Sequence, residues 1–223
     1  MINGRTWILS AACGAGLTVF GTQPAVAQGV WIAGGGIGFI EHRVNAGYGR
    51  ERFGGLALEF DLERRFGSRL VVRVRGLGAE LQATATGDLD RRLGEAEANA
   101  RFAVTPIWGV YGGVSLRAVS SDAGRQHWVF GRIGAEVRPA FTGNRLHAVG
   151  RLGLIPFAAV RGLSSASITL DGAVGVDYER NRLTLGLLYA VERFAFTSVG
   201  AVDRAEQLSR LTLRAGIRMS RRP

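Results

Sequence analysis

The sequence predicts an all-β protein, a closed antiparallel β-barrel of ten strands that crosses a membrane. Ten short segments alternate apolar and polar residues, the connections between them alternate between short and long, and no uncharged run after residue 40 is long enough for a membrane-spanning helix. A strand with one face in lipid and the other in the lumen must alternate in this way. Eight strands are the alternative, if the first or fifth segment pairs poorly.

The first 27 residues have the features of a secretory signal peptide. Arg5 supplies a positive charge, an apolar stretch follows from Trp7 to Phe20, and Ala25-Val26-Ala27 forms a small-residue cleavage pattern. Cleavage there leaves residues 28–223 as one barrel domain and removes Cys13, the only cysteine. We therefore expect a mature chain without disulfides, stabilised instead by a closed hydrogen-bonded barrel.

The ten segments each suit a tilted membrane strand, which needs roughly ten residues. The second is the clearest, since Leu56, Leu58 and Phe60 share one face. Glu59 and Asp61 share the other face of the same segment. The segments in chain order are 30–40, 56–63, 70–75, 95–102, 110–118, 129–138, 146–154, 168–177, 183–192 and 210–218.

The connections indicate how such a barrel is oriented. Barrels of bacterial outer membranes have short periplasmic turns and longer external loops. With ten strands, this pattern places both termini in the periplasm. The short connections, rich in turn residues, lie near 64–68, 105–108, 142–144 and 179–181. The longer ones are 42–53, 78–92, 120–126, 156–167 and 195–207.

Charged residues on the segments have the parity opposite to the Leu/Val face. An arginine facing lipid at the membrane midplane would cost about 2–4 kcal/mol, so we expect these residues to face the lumen. Their near balance of sign favours an ion-pair network over a selective pore, which would carry one sign. The glycines of the first segment should leave room for the inward arginines of the last. The predicted network comprises Glu59, Asp61, Glu63, Arg73, Arg75, Glu95, Glu97, Arg101, Arg117, Arg132, Glu136, Arg138, Arg151, Asp171, Asp177, Glu192, Arg210, Arg214 and Arg218.

The net charge is +10, and all 28 basic residues are arginine. Their spread over alternate strand positions disfavours a nucleic-acid-binding protein. A second group of arginines is expected at the external rim. Their guanidinium groups could hold lipopolysaccharide phosphates or an anionic partner, or they could be ordinary solvated loop charges. That group is Arg43, Arg50, Arg52, Arg91, Arg92, Arg125 and Arg161.

The final segment carries a resemblance to a known group. The run Arg214-Ala215-Gly216-Ile217-Arg218-Met219 keeps the glycine of a barrel-terminal strand, with Met219 in place of the usual terminal aromatic residue. Together with the strand pattern of residues 28–219, it resembles small bacterial outer-membrane β-barrels of the porin-like superfamily, of the OmpA and OmpW types. The resemblance implies a Gram-negative outer-membrane protein that is inserted by the outer-membrane assembly machinery.

Catalytic, metal and cofactor sites are not predicted. His42, His127 and His147 lie at different strand ends and lack metal-ligand spacing. The glycine run 34–38 lacks the lysine and helix of a nucleotide loop. An enzyme at the rim would need a gathered nucleophile and base, and the candidates are Ser120, Ser121, Asp122 and His127.

We expect a monomeric, non-enzymatic outer-membrane barrel with a structural or surface-interaction role, in contact with outer-membrane lipid and lipopolysaccharide. A narrow passive channel for small solutes is the first alternative, and a lipid-modifying enzyme at the rim is the second. The third is a soluble, lipocalin-like exported barrel, which requires the apolar face to point inward. The sequence names no ligand, solute or partner.

Overall fold

A computed structural model describes residues 29–47, 49–85, 89–122, 124–141, 143, 145–161, 166, 169–196 and 204–219. The predicted signal peptide and its cleavage pattern lie outside these residues. The described residues contain no helix of the length and hydrophobicity needed to span a membrane.

The described chain forms one closed antiparallel barrel of ten long strands, which confirms the predicted fold and strand number. Neighbouring strands follow chain order, and the barrel closes where the first long strand pairs with the last. A two-residue strand continues the line of the sixth strand after Pro139. The strands are β1 (Val30–Ala46), β2 (Gly49–Phe66), β3 (Leu70–Ala83), β4 (Arg91–Ala103), β5 (Trp108–Ser121), β6 (Gly124–Val137), β7 (Ala140–Phe141), β8 (Leu146–Val160), β9 (Thr169–Arg180), β10 (Leu183–Phe196) and β11 (Arg204–Met219).

Closure leaves β1 without a free edge. It pairs with β11 from Trp31 opposite Met219 to Ala46 opposite Arg204, and with β2 along the same length. Because both neighbours accept and donate along the whole strand, the backbone hydrogen bonds of β1 are satisfied inside the sheet, as a lipid environment demands.

The two ends of the barrel differ. At one end, here the turn end, β1 begins, β11 finishes, and four tight connections join the strands. Gly67 and Asn181 adopt positive φ angles of 61° and 53° in two of these turns, a conformation that glycine and asparagine tolerate best. The other end is the rim end, where the remaining five connections lie.

The rim end corrects the predicted long loops. The strands run to 18 residues in β2 and 17 in β1, well beyond the roughly ten needed to cross a membrane. Most of the predicted loops 42–53 and 120–126 are therefore strand, whereas residues 84–90, 161–168 and 197–203 lie between strands. The extra residues remain hydrogen-bonded to the neighbouring strands, so the barrel wall extends beyond the apolar exterior.

The exterior carries the apolar face, as predicted. Leu56, Leu58 and Phe60 are 78%, 69% and 68% exposed, whereas Glu59 and Asp61 on the opposite face are half-buried. We call this exterior surface the apolar belt. On β1 it runs from Trp31 to Phe39, and its rim-side edge follows Tyr189, Leu211, Phe39 and Leu56 on four adjacent strands.

The strand alternation shifts once, in β8. Between β6 and β8 the register gains one residue, since Gly131 pairs with Phe157 but Ile133 pairs with Leu154. A bulge of this kind turns the following side chains to the other face. Pro156 lies within it, where a missing N–H is tolerated.

The polarity of the two faces reverses near the rim end, which the sequence interpretation missed. Beyond the belt the exterior is polar, as at Arg43 and Arg52, while the interior becomes apolar. β3 shows the switch, since Val72 and Val74 face out and Leu81 faces in. We call the resulting interior core the apolar septum. Its members are Ile40, Phe53, Ala57, Leu77, Ala79, Leu81, Leu93, Val119, Leu208, Trp128, Phe130, Ile155, Ala158, Val160, Phe194 and Phe196.

Candidate functional site

The lumen between the turn end and the septum holds the charged side chains. We call the inward charged residues joined by ion pairs the lumen network. The adjacent strands β2 and β3 place Glu63 beside Arg73, and Nε of Arg73 lies 3.8 Å from Oδ2 of Asp61. Neighbouring opposite charges on one face of a sheet attract each other, so these contacts of Arg73 require only the pairing of two adjacent strands.

The middle of the network crosses the lumen. Arg117 on β5 contacts Glu95 on β4 at 2.5 Å and also pairs with Glu192 on β10. Nη2 of Arg132 donates to the same Glu192 at 3.1 Å. All four side chains are buried, so each charge is neutralised by partners rather than by water.

The remaining predicted residues take similar places. Arg75 lies between Glu95 and Glu97, and Glu136 joins Arg101 to Arg151. Three further sets of contacts belong to the network. These contacts are Arg132 with Glu97 and Asp171, Arg138 and Arg214 with Asp177, and Arg218 with Glu179.

Two predicted members form no ion pair among the described residues. Glu59 and Arg210 both face the lumen, but the closest approach of either to an opposite charge exceeds the 4.0 Å limit of an ion pair. Asp171 has, besides Arg132, a hydrogen bond from the hydroxyl of Tyr111 at 3.1 Å. Tyr111 was not among the predicted residues, although it shares the inward face of its segment.

The turn end adds a carboxylate that the sequence interpretation placed in a turn. Glu179 accepts hydrogen bonds from Arg65 at 3.1 and 3.3 Å, from Arg138 at 2.7 Å and from Arg218 at 2.9 Å. Three strands, β2, β6 with its continuation, and β11, are thereby tied to β9. The parity of Glu179, which matches that of Asp177, is the signal that could have identified it.

The glycines of β1 do make room for neighbours, but not for the arginines of the last strand. A Cβ on Gly34 would lie 2.8 Å from Oδ1 of Asp61, and one on Gly36 would lie 3.1 Å from Cγ of Glu59. Arg214 instead leans over Gly186 of β10, at 2.6 Å from the same test position. Arg214 lies opposite Gly36 in the strand register, and its guanidinium turns toward its partner Asp177.

Two of the cavities among the described residues lie inside the network. The larger, of about 220 Å³, reaches the turn end, since Gly67 and Ser68 of the β2–β3 turn line it together with Arg73, Glu136 and Glu179. The smaller, of about 40 Å³, lies deeper, beside Tyr111 and Arg132. Both are polar and large enough for water.

The septum closes the lumen above these cavities. Phe130 and Phe194 are 0% and 1% exposed, and their rings meet edge to face at 5.5 Å. The guanidinium of Arg117 lies beneath them, at 4.9 Å from the centroid of Phe130. A gap between the two halves of the septum measures about 10 Å³, room for at most one water molecule.

A buried histidine pair lies within the septum on the rim side. Nε2 of His42 donates to Oε2 of Glu206 at 2.9 Å, and Arg204 contacts the other carboxylate oxygen at 2.6 Å. Although burial favours the neutral acid, the hydrogen bond from His42 and the charge of Arg204 hold the pKa of Glu206 below its usual range. The pair was not predicted because position 206 was assigned to a loop.

The predicted rim arginines all lie near the rim end, but they do not form one surface. Arg43, Arg50, Arg52, Arg92, Arg125 and Arg161 are exposed. Arg91 instead points into the barrel mouth, where it pairs with Glu51 at 2.5 Å and lies 3.8 Å above the ring of Phe53.

The candidate rim catalysts are not gathered. His127 is exposed on β6, whereas Asp122 lies in the β5–β6 turn, and no hydrogen bond or ion pair joins them in the part of the chain that the structure describes. Ser120 and Ser121 have opposite parity on β5, so they face different sides of the barrel wall. No group of three metal-ligating side chains is present among the described residues.

No protein-family model matches the sequence, and no curated protein matches it. The fold is similar to that of the outer membrane protease OmpT from Escherichia coli, with 9% identity, a TM-score of 0.55, and coverage of 86% of this chain and 96% of that one. Neisserial surface protein A is 13% identical, with a TM-score of 0.39 over 85% and 97% of the two chains. The translocator domain of NalP from Neisseria meningitidis is 14% identical, with a TM-score of 0.46 over 92% and 91%. The fold is that of small bacterial outer-membrane β-barrels, as the resemblance implied.

Proposed function

We propose that this protein is an integral outer-membrane barrel with a sealed lumen and a non-enzymatic structural or surface-interaction role, its turn end and both termini facing the periplasm. The belt supports insertion of the barrel into a membrane. Its exposed leucines and valines are stable in contact with lipid, whereas in water such a surface would promote aggregation. The polar exterior beyond the belt then stands above the membrane, where the septum acts as an ordinary protein core.

The septum is the main observation in support of a sealed lumen. Its aromatic and aliphatic side chains occupy the interior, and a gap between them measures about 10 Å³. A hydrated ion or small solute cannot pass a gap of that size without shedding its water, which is costly where most of the surrounding side chains are apolar. The network below the septum also carries both signs of charge, so it lacks the single-sign lining of a selective pore.

Planar-bilayer recording of the purified, refolded protein tests this proposal. We expect the wild type to give no steady conductance steps, and Phe130→Ala/Phe194→Ala to give small ones. Phe39→Ala/Phe102→Ala removes two exterior rings instead and should stay silent. Heat-modifiable migration in detergent verifies that each variant is folded. Steady steps from the wild type would overturn the sealed lumen.

A narrow passive channel is the second candidate. It is supported by the polar cavity of about 220 Å³ that reaches the turn end. This candidate requires the septum to open, so its signature is wild-type conductance that appears under voltage and disappears when Phe130 and Phe194 are crosslinked as a cysteine pair.

Location is tested separately. We expect the protein to fractionate with outer membranes and to be cut by external protease at the rim connections in intact cells. Recovery from the soluble periplasm without detergent would end the membrane proposal. The enzyme alternative predicts altered lipid A in Asp122→Ala/His127→Ala cells compared with wild-type cells, and we expect no alteration.

A further inference from the structure

An arginine row crosses four neighbouring strands on the exterior of the barrel. Arg193 of β10 lies opposite Gln207 of β11, Gln207 lies opposite Arg43 of β1, and Arg43 lies opposite Arg52 of β2. All three arginines are exposed, and the side chains of Arg43 and Arg52 are 54% and 59% accessible. We call Arg43, Arg52 and Arg193 the exterior arginine row.

The row lies just beyond the apolar belt. On the same face, Glu41 and Ser209 lie two residues closer to the turn end than the row does. Phe39 and Leu211, at the edge of the belt, lie two residues closer again. Four residues at about 3.3 Å each, along tilted strands, separate the arginines from that edge. The guanidinium groups are therefore at the level where the headgroups of an outer leaflet meet water.

The local charge is unbalanced. Glu41 is the acid of this surface, and it is shared, since it pairs with Arg43 and lies 2.8 Å from Nε of Arg52. Arg193 forms no ion pair among the described residues. Three guanidiniums thus face one carboxylate on a lipid-proximal surface, whereas the lumen arginines are almost all matched by acids.

We propose that the exterior arginine row binds the phosphate groups of lipopolysaccharide in the outer leaflet. Guanidinium presents paired N–H donors that match phosphate oxygens, and a row spanning three strand spacings, about 14 Å, lets one headgroup engage more than one arginine. The inference rests on the proposed membrane insertion. It selects Arg43 and Arg52 from the predicted rim set and adds Arg193, which the sequence interpretation did not single out.

The test measures retention of purified lipopolysaccharide by the refolded protein in detergent, read by native mass spectrometry. We expect Arg43→Gln/Arg52→Gln/Arg193→Gln to weaken retention about tenfold or more. The matched control, Arg92→Gln/Arg125→Gln/Arg161→Gln, loses the same charge from exposed rim positions outside the row, and we expect a change below about twofold. Equal losses in both triple variants would show general electrostatics and overturn the site.

Two further arms identify the ligand and the mechanism. Dephosphorylated lipopolysaccharide should bind the wild type as weakly as the row variant does. Inorganic phosphate should compete poorly, and competition at low concentration would assign the site to free phosphate instead. Glu41→Gln should strengthen retention, because it releases two guanidiniums from their internal partner, and a merely structural row would not give such a gain.

Failure of this proposal is distinguishable from failure of the proposed function. Heat-modifiable migration and vesicle insertion report the barrel itself, without lipopolysaccharide. A row variant that inserts normally and still retains lipopolysaccharide removes the site and leaves the barrel in place. A wild-type protein that never inserts removes both.

Discussion

Arg117 on β5 forms an ion pair with Glu192 on β10, a strand four places away around the barrel wall. The same guanidinium lies under the rings of Phe130 and Phe194, at 4.9 and 5.7 Å from their centroids. Arg117 is thus the junction between the charged network and the apolar septum, and it ties opposite walls of the barrel together.

Removing the Glu192 charge should destabilise the barrel strongly. Glu192→Gln leaves the buried guanidiniums of Arg117 and Arg132 short of a counter-charge, and breaking a buried ion pair in this way costs about 3–5 kcal/mol. The free energy of unfolding in lipid vesicles, measured by urea titration with tryptophan fluorescence, checks this. Glu80→Gln is the control, because its exposed pair with Arg92 contributes little. A loss below about 1 kcal/mol for Glu192→Gln would contradict a cross-lumen strap.

Truncating the septum should cost more than truncating the belt. Phe130→Ala removes a fully buried ring from the interior, and such changes cost about 3–5 kcal/mol because a cavity is left behind. Phe102→Ala, on the exterior, loses similar apolar contact, but lipid chains can move into the space. The two unfolding free energies should therefore differ by about 1–2 kcal/mol, and equal losses would mean that the septum relaxes as freely as lipid.

The strand faces could be predicted from sequence because a period of two fixes which side chains share a side. The alternation alone was enough to assign Leu56 to the exterior face and Glu59 to the lumen face. The septum left a weaker signal, a change in the parity of apolar residues within one strand, from Val74 to Leu81 in β3 and from Tyr189 to Phe194 in β10. That change was hidden because the ends of these strands were taken for loops.

Partners across the lumen could not be predicted. Which inward residue of β5 meets which residue of β10 depends on the stagger of the strands around the whole barrel, which no single segment encodes. The pairing of His42 with Glu206, 164 residues apart, was hidden for a different reason, because β1 and β11 become neighbours only when the barrel closes. Adjacent strands were more tractable, as Glu63 and Arg73 show, because one hairpin sets their register.

Two glycines of the β2–β3 hairpin should respond differently to the same substitution. A Cβ on Gly55 would lie 1.8 Å from the backbone oxygen of Glu80, so Gly55→Ala must displace a strand and should cost about 1–3 kcal/mol or more. Gly78 has no heavy atom within 4 Å of the same test position, and Gly78→Ala should be nearly neutral. Urea titration compares them, and equal stability of the two variants would place β2 and β3 further apart.

Glu206 should make the barrel sensitive to acid at its rim end. Burial disfavours its charge, but the hydrogen bond from His42 and the charge of Arg204 outweigh burial, so the folded-state pKa lies below the ordinary value of 4.5. A depressed pKa means that the carboxylate contributes its full stability above the unfolded-state pKa and loses it as the pH falls through the folded-state pKa. The stability difference between the wild type and Glu206→Gln should therefore be largest near pH 7 and shrink in increasingly acidic buffer. Unfolding free energies at a series of pH values from about 7 to 3 check this, with the exposed substitution Glu80→Gln measured in parallel as the control. A difference that stays constant over the series would mean that the carboxylate is not stabilised by His42 and Arg204.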